Sequence, residues 1–185
     1  KVILKIEHLC KDFDIKAKSF TGKALKLHAL SDISLDIYEG ETLGIIGESG
    51  CGKSTLGRCL VNLHPITSGK LVYDGKELNR LRKKERQALS REIQMVFQDP
   101  YSSLDPRHTA ADSVEEPMIV HKTPATARER QERTIGLFKE VGLDMQHLNR
   151  YPHEFSGGQR QRLNIARAIA SNPRVVICDE PVSAL

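Results

Sequence analysis

Eight consecutive residues, Gly47-Glu48-Ser49-Gly50-Cys51-Gly52-Lys53-Ser54, have the types and spacing needed to hold a chain of phosphates. They fill the pattern G-x-x-x-x-G-K-[ST]. Glycines let the backbone curl until successive N–H groups point inward at phosphate oxygens, and the start of a helix adds the positive end of its dipole. In that setting Lys53 reaches the β and γ phosphates and the Ser54 hydroxyl ligates Mg²⁺. Two related motifs are excluded by single residues. A dinucleotide fingerprint requires glycine where Thr55 stands, and a nucleophile elbow around Ser49 requires glycine where Cys51 stands.

A second group of residues has the chemistry of hydrolysis. The apolar run Val175-Val176-Ile177-Cys178 ends in Asp179-Glu180. One carboxylate there can hold the Mg²⁺ shell while its neighbour takes a proton from an attacking water. Upstream, Ser156-Gly157-Gly158-Gln159 places a hydroxyl and two glycines at a helix start, which makes a second anion site. One chain does not need two γ-phosphate cradles unless they serve different nucleotides. The phosphate loop by itself leaves GTPases, kinases, recombinase-like motors and transporters open, although the N-K-x-D motif with which a GTPase reads its base does not occur.

Positioning these groups requires a strand before the glycine loop and a helix after it. The run Thr42-Leu43-Gly44-Ile45-Ile46-Gly47 predicts a strand buried on both faces. Leu56, Cys59, Leu60 and Leu63 mark one face of a helix that Pro65 helps to end. Nearer the N-terminus, Leu4 and Ile6 alternate with lysines, and Ile33, Leu35 and Ile37 alternate with Ser34, Asp36 and Tyr38, which predicts a half-exposed antiparallel sheet. Lysine-rich Asp14 to Leu27, with Gly22, has the composition of an exposed insertion. Leu71-Val72-Tyr73 and the alternating Ile93, Met95 and Phe97 predict two further strands around the basic stretch Arg80 to Arg86, itself a solvated helix face. Thr109 to Leu148 reads as a helical subdomain with Ile135, Phe138 and Val141 on an apolar face. Ser156 to Ala170 reads as a helix closed by Asn172-Pro173, ahead of the strand Val175 to Cys178.

Composition narrows the class further. The 185 residues suit one domain or slightly more at roughly 150 residues per domain. Hydrophobic residues make up 39% and charged residues 28%, and no run approaches the ~18 apolar residues of a membrane helix. A net charge of +4 is too small to imply nucleic acid. The four cysteines and seven histidines show neither C-x-x-C nor H-E-x-x-H spacing, so a disulfide framework or zinc site is not expected. The N-terminus lacks a signal-peptide pattern, and a reducing cytoplasm is expected. The chain starts without methionine and stops at Ser183-Ala184-Leu185, so it reads as a fragment.

Phe155-Ser156-Gly157-Gly158-Gln159, joined to the phosphate loop and the paired acids, resembles the ATP-binding cassette ATPases. Family signature loops usually read Leu-Ser-Gly-Gly-Gln, so Phe155 departs only at the apolar first position. The resemblance implies an α/β fold: a P-loop NTPase core with a parallel sheet, an N-terminal antiparallel β subdomain and an inserted helical subdomain. It implies one cassette domain over 1–185, incomplete at its C-terminus, with about 1–98 and 172–185 in the core and about 99–171 in the helical part. ATP and Mg²⁺ are its implied cofactors. By the same resemblance Gly47, Glu48, Ser49, Gly50, Cys51, Gly52, Lys53, Ser54 and Thr55 hold ATP, and Phe13 stacks on its adenine. Ser54, Gln98 and Asp179 surround Mg²⁺, and Glu180 and Gln98 are catalytic. Ser156, Gly157, Gly158 and Gln159 close in trans on ATP held by a second cassette subunit, in a head-to-tail homo- or heterodimer. Ser183-Ala184-Leu185 matches the start of the loop that follows the acids.

Two longer strings, Val96 to Arg107 and Tyr151 to Arg162, are similar to the oligopeptide, dipeptide and nickel importer ATPases, as is the insertion between Phe13 and Ala29. This implies a place at the cytoplasmic face of the membrane. The implied partners are transmembrane permease subunits and, indirectly, an extracytoplasmic substrate-binding protein; nucleic acid is not among them. The alternatives are a soluble cassette protein acting on DNA or ribosomes, and a nucleotide-binding module with little turnover. The first predicts a long coiled-coil insertion or concentrated basic surface, and the 58 positions from Gln98 to Ser156 are short for such a hairpin.

Overall fold

The alternation of apolar and polar residues at the N-terminus forms two long strands, β1 (Val2–Ile15) and β2 (Leu25–Tyr38), paired antiparallel. The computed structural model describes residues 1–15, 25–124 and 126–180, and its contacts divide the chain into two units, Lys1–Arg86 and Gln87–Leu185. In the first, the sheet order is β2-β1-β3-β4, completed by β3 (Ser68–Tyr73) and β4 (Lys76–Glu77). Leu4, Ile6, Leu9 and Leu71 are buried beneath it, while Ile33, Leu35 and Ile37 are half-buried between exposed neighbours. Gly69, at φ +90, stands where an added Cβ would lie 2.3 Å from the His8 carbonyl oxygen, so only glycine lets β3 pass the irregular turn of β1.

Two expectations for this unit need correction. The insertion does not begin at Asp14: the strands continue through the pairs Phe13↔Leu27 and Ile15↔Leu25, and Gly22 lies outside the described residues. The run Thr42 to Gly47 is not a buried strand, for it is exposed and irregular, with Ile46 97% exposed. Apolar character suits a segment to an interior strand, but burial needs a paired neighbour on each edge. Among the described residues no strand pairs with this run. The helix that follows, α1 (Lys53–Leu60), buries Leu56, Cys59 and Leu60. It ends before Pro65, because Asn62 turns left-handed at φ +60 and leaves Leu63 56% exposed.

The unit boundary falls within α2 (Lys83–Glu92), which carries the basic stretch from Lys83 to Arg86, whereas Arg80 ends a 3-10 turn ahead of it. In the second unit β5 (Ile93–Val96) pairs parallel with β6 (Val175–Cys178), in the register Val96↔Cys178. Among the described residues three α-helices lie between them in sequence: α3 (Ala110–His121), α4 (Ala127–Glu140) and α5 (Gly157–Ile169). Thr109 and Thr126 open α3 and α4 with capping boxes to Asp112 and Glu129. Val114 and Met118 of α3, Leu137 and Phe138 of α4, and Leu163 and Ala166 of α5 close one core, to which Phe155 is added. On α4 the buried face runs through Thr134, Leu137 and Phe138, with Val141 packed beside it and Ile135 at the half-buried margin. Among the described residues no helix is long and apolar enough to cross a membrane.

Phe138 is fully buried at the centre of that core. Phe138→Ala is expected to destabilise the helical unit by about 3–5 kcal/mol through lost burial and a cavity. Chemical denaturation followed by circular dichroism checks this, and a change below 1 kcal/mol would contradict the assigned core.

Candidate functional site

In the first unit, Gly47 to Cys51 form an exposed loop that enters α1 through Gly52 at φ +100. A Cβ on Gly52 would stand 2.6 Å from the Ala29 carbonyl oxygen, and one on Gly47 would stand 2.7 Å from the Cys51 Sγ. No side chain caps the helix and its first turn holds no acidic residue, so the positive end of the dipole is not neutralised there. Lys53 Nζ folds across the loop and donates to the carbonyl oxygens of Gly47 and Glu48 at 2.7 and 2.8 Å. Ser54 and Thr55 stand half-buried in the same first turn. A glycine at Gly52 that the Ala29 backbone lets no side chain replace, an uncapped helix start and the Lys53 cation laid across the loop together suit a phosphate chain.

Phe13 is half-buried on β1. Lys11 Nζ stands 4.6 Å from its ring centroid, and the His64 ring meets it at 5.4 Å and 85°. Lys11 is itself buried, and neither it nor His64 is marked by any sequence motif.

In the second unit the parallel register brings two predicted residues into contact. Val96 ends β5 beside Cys178 at the end of β6, and the Asp179 N–H donates to the Val96 carbonyl at 2.9 Å. Asp179 is thereby buried, while Glu180 turns outward in a left-handed backbone at φ +48. A non-glycine residue in that conformation carries strain of the kind found at functional sites. Gln98 Nε2 donates to Glu180 Oε2 at 2.6 Å. A water accepted by Glu180 would meet a carboxylate already oriented by an amide. Within this unit Asp179 and Gln98 present side-chain oxygens, the kind of donor a hard divalent cation takes. Beyond Gln98, the Tyr101 N–H bonds the Asp99 carboxylate and lowers its pKa. Ser183-Ala184-Leu185 lie outside the described residues.

Ser156 is the N-cap of α5, with its Oγ accepting from the Gln159 N–H at 3.3 Å and its N–H donating to Gln159 Oε1 at 2.9 Å. The capping box fixes the hydroxyl at the helix start while leaving its own proton to donate. A Cβ on Gly157 would meet nothing within 4 Å. The chain's own packing therefore does not require that glycine, which instead keeps the helix start open. Phe155 is buried and makes an edge contact with His147, ring centroids 5.5 Å apart.

A glycine cradle at a helix start, paired acids after a parallel strand and a capped Ser-Gly-Gly-Gln turn define an ATP-binding cassette. Residues 30–183 match the family model described as ABC transporter, and the chain belongs to that family. It is 47% identical over 184 residues to the oligopeptide transport ATP-binding protein OppF of Bacillus subtilis (strain 168), covering 99% of this chain and 58% of that protein. It is 48% identical over 183 residues to the glutathione import ATP-binding protein GsiA of Pectobacterium atrosepticum, covering 99% of this chain and 29% of that one. The chain thus spans 58% or less of the length of these two relatives. A solved dimer of the ATP-binding cassette MJ0796, in a post-hydrolysis state bound to ADP and Pi, matches with TM-score 0.88 at 34% identity over 99% of this chain and 76% of that chain.

Cys51 and Cys178 are exposed, whereas Cys59 is 1% exposed; desolvation pushes the thiol pKa up at both Cys59 and Cys178. The apolar run Val175 to Cys178 predicts a strand whose thiol is buried like that of Cys59, and the exposure of Cys178 corrects that expectation. Brief maleimide treatment with peptide mapping is expected to label Cys51 and Cys178 well before Cys59. Labelling of Cys59 at an equal rate would contradict the packing of α1.

Proposed function

We propose that the chain is the nucleotide-binding and hydrolysing part of an importer ATPase that energises uptake of peptides or a related small solute through a membrane permease. The reading rests above all on the hydrogen bond from Gln98 to Glu180 at the ends of two parallel strands. The names of the OppF and GsiA relatives support the solute class. Gly47 to Thr55 bind the phosphates of ATP, with Lys53 exchanging the loop carbonyls for phosphate oxygens. Phe13 takes the adenine. Ser54, Gln98 and Asp179 hold Mg²⁺, which when bound offsets phosphate charge. Gln98 holds the carboxylate of Glu180, and Glu180 removes a proton from the attacking water.

Ser156, Gly157, Gly158 and Gln159 contact the nucleotide of a second cassette subunit, a reading supported by the open helix start and by the dimeric MJ0796 structure. Both units together form one cassette, and the protein works at the cytoplasmic face of the membrane against permease subunits fed by an extracytoplasmic binding protein. A second reading, in which the 185 residues alone bind nucleotide with little turnover, is favoured by the unpaired, exposed run Thr42 to Gly47 ahead of the loop.

In the full-length protein, saturating Mg-ATP is expected to suppress maleimide labelling of Cys51. Lys53→Ala is expected to weaken ATP binding by about tenfold or more, the size of a lost charge-assisted contact in the ground state. Calorimetric binding and labelling with and without nucleotide test both. Unchanged Cys51 labelling at saturating Mg-ATP, with Lys53→Ala binding as tightly as the wild type, would overturn the reading.

A further inference from the structure

One face of α5 grips the segment that follows Gln98. Residues 160, 164 and 167 lie on the same side of a helix, at spacings of four and three. The Arg160 guanidinium lies 3.6 Å from the centroid of the Tyr101 ring, and the same group donates to the Phe155 carbonyl, immediately before Ser156. Asn164 Nδ2 donates to the Pro100 carbonyl at 3.2 Å, and Arg167 donates to the Ser103 carbonyl at 3.2 Å and to Glu116 Oε2 at 2.8 Å. Three successive turns of the helix thus hold Pro100, Tyr101 and Ser103.

The burial of these groups is unequal in an informative way. Arg160 is 6% exposed and Asn164 is 4% exposed, while Tyr101 is 64% exposed. A buried guanidinium is costly unless its hydrogen-bonding and π partners are well placed. Here the exposed ring covers the guanidinium from outside and the Phe155 carbonyl accepts from Nη2 inside. Nε is buried without a hydrogen-bond partner among the described residues, so the ring and that one bond carry the compensation. The segment is also braced internally, for the Tyr101 N–H bonds Asp99 Oδ1 at 2.9 Å and the Ser103 hydroxyl donates to the Pro100 carbonyl at 3.2 Å. These braced positions begin immediately after Gln98, whose side-chain amide meets Glu180.

We infer that Arg160, with Asn164 beside it, is a positioning residue that holds Gln98 against Glu180 by clamping the Pro100–Ser103 segment to the helix opened by Ser156. The inference rests on the proposed ATPase reading and extends it. A shift at the Ser156 end of α5 is carried through Arg160 to Tyr101 and so to the amide that orients the base. Loss of the clamp slows hydrolysis without weakening the hold on ATP, because none of the gripping residues belongs to the phosphate loop.

The test is Mg-ATP turnover by the full-length protein. Arg160→Met and, as a surface variant that leaves the buried face intact, Tyr101→Leu are each expected to lower kcat about tenfold, as loss of outer-shell support does. KM for ATP is expected to stay within about twofold, since uniform binding is untouched. Tyr101→Phe, which keeps the ring over Arg160, is expected to retain wild-type kcat. In a Gln98→Ala background the Arg160→Met change is expected to have no further effect, because its route of action is gone. Full multiplication of the two effects, or a tenfold rise of KM in step with the loss of kcat, would overturn the clamp. So would wild-type kcat in Tyr101→Leu. A wild-type protein that releases no phosphate from Mg-ATP would instead overturn the ATPase reading on which the clamp rests.

Discussion

Parallel pairing of Ile93–Val96 with Val175–Cys178 is the constraint on which the Gln98–Glu180 half of the candidate site depends. Gln98 and Glu180 are 82 positions apart, and only a shared strand register brings an amide and a carboxylate at that separation to 2.6 Å. Parallel strands end at the same edge of a sheet, so both side chains emerge together. The hydrogen bond from the Asp179 N–H to the Val96 carbonyl fixes where β6 stops. It buries one acid and, through the left-handed turn at the next residue, exposes the other. Adjacent carboxylates thereby acquire different surroundings, which is how two like residues take different roles.

The helical core does comparable service for the signature turn. Phe155 is anchored among Leu163, Ala166 and the facing residues of α3 and α4, so Ser156 begins α5 at a fixed place. Phenylalanine instead of the leucine usual in the family fills the same apolar position and adds the edge contact with His147. The departure is one of volume, and the capping box beyond it is unaltered.

Much of this was legible in residue types and spacing. Ser156-Gly157-Gly158-Gln159 announces its own helix start, because a serine N-cap with glutamine three residues on is a local signal. The alternation around Leu4 and Ile33 likewise gave the antiparallel sheet. What failed to show were features that depend on partners distant in sequence. Thr42 to Gly47 has the composition of an interior strand, yet composition carries no information about whether a neighbour is paired. The end of α1 at Leu60 was set by a left-handed Asn62, not by the later proline. Arg160, Asn164 and Arg167 share a helix face, but their grip on Pro100 to Ser103 needs the loop to be folded against it before it can be seen.

The central claim, that Glu180 is the base Gln98 holds, is tested most directly by single-turnover cleavage of bound ATP in the full-length Glu180→Gln protein, measured with the ATP dissociation constant. Glutamine keeps the size and hydrogen-bonding reach of glutamate but cannot accept the proton. The account predicts unchanged binding with cleavage slowed by ~10²–10⁴, the usual contribution of a general base. Cleavage at the wild-type rate, or a loss of binding that accounts for the whole loss of cleavage, would contradict it.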